Sequence, residues 1–119
     1  NRGGAPAPRR QPRMSQAARW LGERVPAAPP RLLEAMLAAL PTDAATAPDA
    51  LAEGALALYH AVLRGSGGRE DALPLLAADA LLTHAFQAQA ELDPAGIPEL
   101  ARRCGGAERL GEVAEGIVR

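Results

Sequence analysis

The segment from Glu70 to Leu92 places the tightest constraint on what this chain can fold into. It carries Leu73, Leu75, Leu76, Leu81, Leu82, Phe86 and Leu92 with alanines between them, and its one proline, Pro74, stands near the start. Proline is tolerated in a first helical turn, so the spacing predicts one long helix, ended by Asp93-Pro94. A helix apolar on more than one side must be covered by other elements. Its small residues, among them Ala77, Ala78, Ala85 and Ala88, permit close approach of neighbouring helices, as in a bundle centre or a dimer seam.

The rest of the chain agrees with a helical surrounding. Alanine and leucine supply most of its 48% hydrophobic content and only 3% is aromatic, a balance that favours helix over strand. No stretch alternates like a strand. The 119 residues suffice for one domain, which at this size removes roughly 60–70% of its extended surface from water. The fold expected is therefore all-α, an antiparallel bundle of about five to six helices, with connections short enough for consecutive helices to pack mostly antiparallel. Cys104 is the one cysteine, which excludes an internal disulfide framework. No apolar run approaches the ~20 residues that span a bilayer, and the N-terminal residues lack the apolar core of a signal peptide, so a cytoplasmic location is expected.

Punctuation residues place the other helices. Ser15 can cap a short helix through about Val25, with Ala17, Leu21 and Val25 at four-residue spacing. After Pro26 and Pro29-Pro30, a second helix starts near Pro30 or Arg31 and shows Leu33, Met36, Leu37 and Leu40 on one face before Pro41. Thr46-Ala47-Pro48-Asp49 reads as a capping box for a third helix with the stripe Leu51, Ala55, Leu58, Tyr59, Val62 and Leu63. Gly65-Ser66-Gly67-Gly68 stops it. A fifth short helix begins at Pro98, carries Leu100 and Cys104, and ends at Gly105-Gly106; a sixth, Ala107 to Val118, presents Leu110, Val113, Ala114 and Ile117 at helical spacing.

Charge is unevenly distributed. Residues 1 to 31 carry seven arginines against Glu23 (+6), and residues 32 to 119 carry six arginines against thirteen acids (−7), which gives the net charge of −1. Residues 1–13 combine Gly, Pro and Arg without apolar periodicity and are expected to form a mobile arm, leaving residues 14–119 as a single helical domain. The arm could touch nucleic acid through counterion release. The plainer reading is a solubilising tail, and the acidic balance of the folded part argues against nucleic acid as a partner.

Candidate chemistry is sparse. His60 and His84 are the two histidines, neither with a partner at helical spacing. Were the third and fourth helices antiparallel, they could meet beside Asp79 or Glu53 as a low-specificity polar site, although a packed or hydrogen-bonded role is the commoner one. Cys104 sits in a last helical turn, where the dipole disfavours a thiolate, so a buried structural role is expected. The Gly65–Gly68 loop has the glycine content of a phosphate cradle without the lysine and hydroxyl that should follow, and reads as a turn.

The long helix also carries a resemblance. Leu76-Ala77-Ala78-Asp79-Ala80-Leu81-Leu82-Thr83-His84-Ala85-Phe86 resembles the "AGDALLTLAF" helix of polyprenyl diphosphate synthases. Leu58-Tyr59-His60-Ala61 resembles that family's "ELLHAASLVHDD" helix, Leu32-Leu33-Glu34-Ala35-Met36 its "LLEAM" helix, and Gly111-Glu112-Val113-Ala114-Glu115 stands at its "GQxxD" motif. The order agrees over residues 31 to 117. The family uses clustered aspartates to hold the magnesium ions that bridge a diphosphate. Where the first such motif belongs, this chain reads Arg64-Gly65-Ser66-Gly67-Gly68, and Asp71 alone cannot replace it. The family's Gly-Gly-Lys-Arg segment is missing too, Glu112 and Glu115 replace glutamine and aspartate, and no second aspartate-rich helix follows.

The resemblance thus implies packing without catalysis, with no catalytic residue, metal or cofactor. It implies a non-catalytic helical scaffold or regulatory subunit that forms a homodimer or pairs with a full-length polyprenyl synthase. In the family this helix lies at the dimer interface, which points to Leu75, Ala78, Leu82, Phe86 and Gln89 as contact residues. An alternative is a small isoprenoid- or lipid-binding bundle in which the alanine-rich helix lines a tunnel.

Overall fold

The computed structural model describes residues 15–44 and 46–105, and its elements are all helical: α1 (Gln16–Arg24), α2 (Pro30–Ala38), α3 (Ala47–Leu63), α4 (Ala72–Leu92) and α5 (Ile97–Arg103). Short 3-10 turns, Arg69–Asp71 and Pro94–Gly96, precede α4 and α5. The N-terminal arm of residues 1–13 and the sixth helix expected over Ala107 to Val118 lie outside the described residues. No helix among the described residues is long and apolar enough to cross a membrane.

The helix ends follow local chemistry. The Ser15 hydroxyl accepts from the Ala18 amide at 3.1 Å, and the Thr46 hydroxyl accepts from the Asp49 amide at 3.3 Å. Each satisfies one of the donors that a helix start leaves open. Pro30, Pro48 and Pro98 occupy the first two positions of their helices, where the missing N–H costs nothing. α2 ends at Ala38, and its exit tightens through Ala39 N–H to Met36 C=O and Leu40 N–H to Leu37 C=O, both 3.2 Å. The cause is Pro41, which disfavours helical geometry in the residue before it. α4 starts at Ala72, two residues later than the sequence suggests, because Arg69–Asp71 turn more tightly and the acids there bond to the preceding loop.

The centre of the molecule is the α3–α4 hairpin. Tyr59 meets Asp79, while Pro48 lies beside Ala88 and Glu91, so the two helices run antiparallel. Leu51 and Ala55 from α3 and Ala77, Ala78, Leu81 and Ala85 from α4 are completely buried. Gly54 makes the approach tighter still. A Cβ there would stand 3.2 Å from both the Ala39 carbonyl oxygen and Leu81 Cδ1. Glycine costs about 1 kcal/mol relative to alanine inside a helix, and at this position the missing methyl leaves room for the end of α2 and for Leu81.

Outside the hairpin the packing departs from the expected consecutive pattern. α1 lies mainly on α3, with Ala17 and Leu21 buried, and α2 mainly on α4, with Met36 buried. α1 and α2 therefore do not form a hairpin of their own. Pro26, Pro29 and Pro30 explain it: Pro29 is extended at φ −54°, ψ 136°, and this proline-rich stretch carries the chain away from α1.

Candidate functional site

The five residues that the family resemblance marks for contact with another chain divide into two groups. Ala78 is 0% exposed and Gln89 only 7%, so both are enclosed by their own chain. The Gln89 side-chain amide donates to the Asp93 carbonyl at 2.9 Å and closes the end of α4. Leu75, Leu82 and Phe86 are half-buried against the core. The most open leucines of the first turns of α4 are Leu73 and, at 54% exposure, Leu76. Antiparallel register carries Leu63, also exposed, to the same end of the hairpin. Sequence reasoning counted these residues as apolar but gave them no surface role. The missed signal is position along the helix: Leu73 continues the Ala77-Leu81-Ala85 series at four-residue spacing but stands in the first turn of α4, and Leu76 lies three residues on from it.

His60, Asp79 and His84 do not come together. His60 is exposed in the last turn of α3, whereas Asp79 accepts a hydrogen bond from the Tyr59 hydroxyl. His84 lies more than a helical turn along α4 from Asp79, with its ring 5.6 Å from that of Trp20 and Nδ1 2.9 Å from Gln87 Oε1. Burial, and then the Asp79 carboxylate, push the Tyr59 phenol well above its ordinary pKa. The pair is a structural tie across the hairpin.

Trp20 belongs instead to a polar cluster that fastens α1 to α4. Its indole N–H donates to Glu91 Oε1 at 3.1 Å, and Arg24 donates to the same carboxylate through Nε at 3.2 Å and Nη2 at 2.9 Å. The Arg24 guanidinium stands 5.7 Å from the Trp20 ring, within cation–π range. Hydrogen bonds from Arg24 and then Trp20 hold the Glu91 carboxyl below its ordinary pKa.

The glycine loop is a turn, as its sequence suggests. Gly67 adopts φ 79°, a region open to glycine at little cost. Its amide donates to Asp71 Oδ2 at 2.7 Å, the Gly68 amide donates to the Ser66 hydroxyl at 3.2 Å, and that hydroxyl bonds Glu70. The chain's own acids thereby occupy donors that a phosphate would need.

A groove of about 400 Å³ opens between α3 and α5. Ala52, Leu56 and Leu100 give it apolar walls, and Asp43, Asp49 and Glu53 give it acidic ones. Arg103 reaches from α5 to pair with Asp49. Cys104, also lining the groove, is 1% exposed, and its amide donates to the Leu100 carbonyl at 3.0 Å. Asp49 thus does two jobs: its amide completes the Thr46 cap and its carboxylate bridges two helices. Among the described residues, no group of three or more His, Cys, Asp or Glu is placed to hold a metal ion.

The chain matches no family model, no curated protein and no solved structure.

Proposed function

We propose that the chain is a non-catalytic helical scaffold or regulatory subunit that acts by self-association or by pairing with a full-length polyprenyl synthase. One observation carries this reading. α4 uses its alanine-rich face to hold α3, yet leaves Leu76 and Leu73 exposed at the end of the hairpin where Leu63 is also open. Exposed leucines gathered at one end of a hairpin suit a protein contact better than they suit water. Leu75, Leu82 and Phe86, already half-buried, would form the supporting wall of that contact. The resemblance of residues 76–86 to the interface helix of polyprenyl diphosphate synthases names the class of partner.

Binding of an isoprenoid chain has less support. On α4, Ala77, Ala78, Leu81 and Ala85 are closed off by other side chains, and the α3–α5 groove has acidic walls that suit a hydrocarbon poorly. Sedimentation velocity tests the proposed role, with the full chain alone and mixed with a polyprenyl synthase. Association that Leu76→Asp weakens supports it. A monomer at micromolar concentration that does not co-sediment with the synthase overturns it.

A further inference from the structure

We propose that the tip of the α3–α4 hairpin docks a partner protein whose surface sets carboxylates around an apolar centre, the centre meeting Leu63, Leu73 and Leu76 and the carboxylates meeting Arg64 and Arg69. The inference rests on the protein contact proposed above for this end of the molecule and adds the chemistry of the partner's surface.

The loop between the two helices decides which charges the tip presents. Arg64, Arg69, Glu70 and Asp71 all fall within residues 64–71 and could neutralise one another as two pairs. They do not. Asp71 accepts from the Gly67 amide at 2.7 Å, and Glu70 accepts from the Ser66 hydroxyl. Two glycines make room for these acids: a Cβ on Gly65 would stand 2.5 Å from Asp71 Oδ1, and one on Gly68 would stand 2.8 Å from Glu70 Oε2. Arg64 and Arg69 are exposed, and among the described residues neither forms an ion pair. The approach of Asp71 to Gly65 also closes the neck of the loop. Leu63 and Leu73 each follow the chain two residues away from that neck, and Leu76 lies within a further turn of α4. The two cations therefore stand beside three exposed leucines.

This arrangement selects among partners. The four charges of the loop sum to zero, so a nucleic acid or an anionic membrane, which are drawn by net positive charge, find little to recognise. A folded protein surface can set a carboxylate opposite each guanidinium at the rim of an apolar centre. A second copy meeting this one tip to tip would bring only acids already bonded within their own loop. Both ends of the described chain lie along the first half of α3, Ser15 across a cleft from Thr46 and Cys104 beside Asp49 and Ala52, away from the tip.

Isothermal titration calorimetry of the full chain with a polyprenyl synthase tests the inference. Arg64→Glu combined with Arg69→Glu should weaken binding at least about tenfold. Raising sodium chloride from about 50 to about 500 mM should weaken the native pair and leave that variant little changed. Leu76→Asp should weaken binding at either salt concentration, and Arg19→Glu, an exposed reversal on α1, should not. Far-ultraviolet circular dichroism reports whether each variant keeps its helices; if the double reversal loses that signal, Arg64→Gln with Arg69→Gln takes its place. Synthase binding that Leu76→Asp weakens and the arginine reversal does not overturns this inference and leaves the scaffold reading standing. So does an equal loss from Arg19→Glu, which makes the attraction one of overall charge. Self-association without synthase binding also overturns it and makes a second copy the occupant. Binding to phosphatidylserine vesicles without synthase binding, or no association in any arm, overturns both.

Discussion

α3 meets α4 and α5 in opposite ways. Towards α4 it presents Leu51, Gly54 and Ala55, and the seam is closed to solvent. Towards α5 it presents Asp49, Glu53 and Leu56, and the result is a groove bridged at its edge by the Asp49–Arg103 pair. The difference lies in side-chain size and charge on two faces of one helix. Small apolar residues let backbones approach until dispersion and burial act over the whole contact. Carboxylates must keep their water or find a cation, so they hold a neighbour off.

The largest expected effect comes from breaking the closed seam. Leu81→Ala removes a side chain with no exposed surface and should cost about 2–5 kcal/mol, read from urea unfolding monitored at 222 nm. The next variant sharpens the close approach. Gly54→Val forces branched methyls against the Ala39 carbonyl and Leu81 and should cost about 1–3 kcal/mol by overpacking; an unchanged midpoint in the same titration would show that the seam has slack. On the α5 side, Leu56→Ala should cost less than Leu81→Ala, because Leu56 is only half-buried.

Two polar ties give smaller, pH-dependent effects. The Tyr59 phenol has its pKa raised by burial and by Asp79, so the unfolded chain ionises first. Its contribution is complete below the ordinary tyrosine pKa of about 10 and is lost as pH rises beyond it. Tyr59→Phe should flatten that alkaline decline in thermal midpoint and lower stability at neutral pH by about 1 kcal/mol. Glu91 has its pKa lowered by Arg24 and Trp20, so its contribution is present above the ordinary carboxylate range and fades as pH falls through it. Both partners are exposed, which makes this the smallest effect. Glu91→Gln should chiefly reduce the acid sensitivity of Trp20 fluorescence.

How much could be read in advance depended on how local the cause was. The Ser15 and Thr46 caps, the start of α2 at Pro30 and the stop after Leu92 are decided within a few residues, and the structure has them there. The candidate sites were less legible. His60, Asp79 and His84 could be suspected only as a trio, because spacing along two helices does not fix their relative rotation. The Trp20-Arg24-Glu91 cluster joins residues 67 and 71 positions apart, and no local pattern announces a pairing at that range.

The sequence alone determined that the chain is helical, roughly where its described helices lie, and that the alanine-rich α4 must lie at the centre, because propensity, capping and apolar periodicity act over one or two turns. The tertiary structure decided which helices touch: α1 on α3, α2 on α4, and a groove beside α5. That choice depends on how closely two backbones can approach and where a carboxylate finds its cation. Both are properties of surfaces that exist only once the helices are brought together.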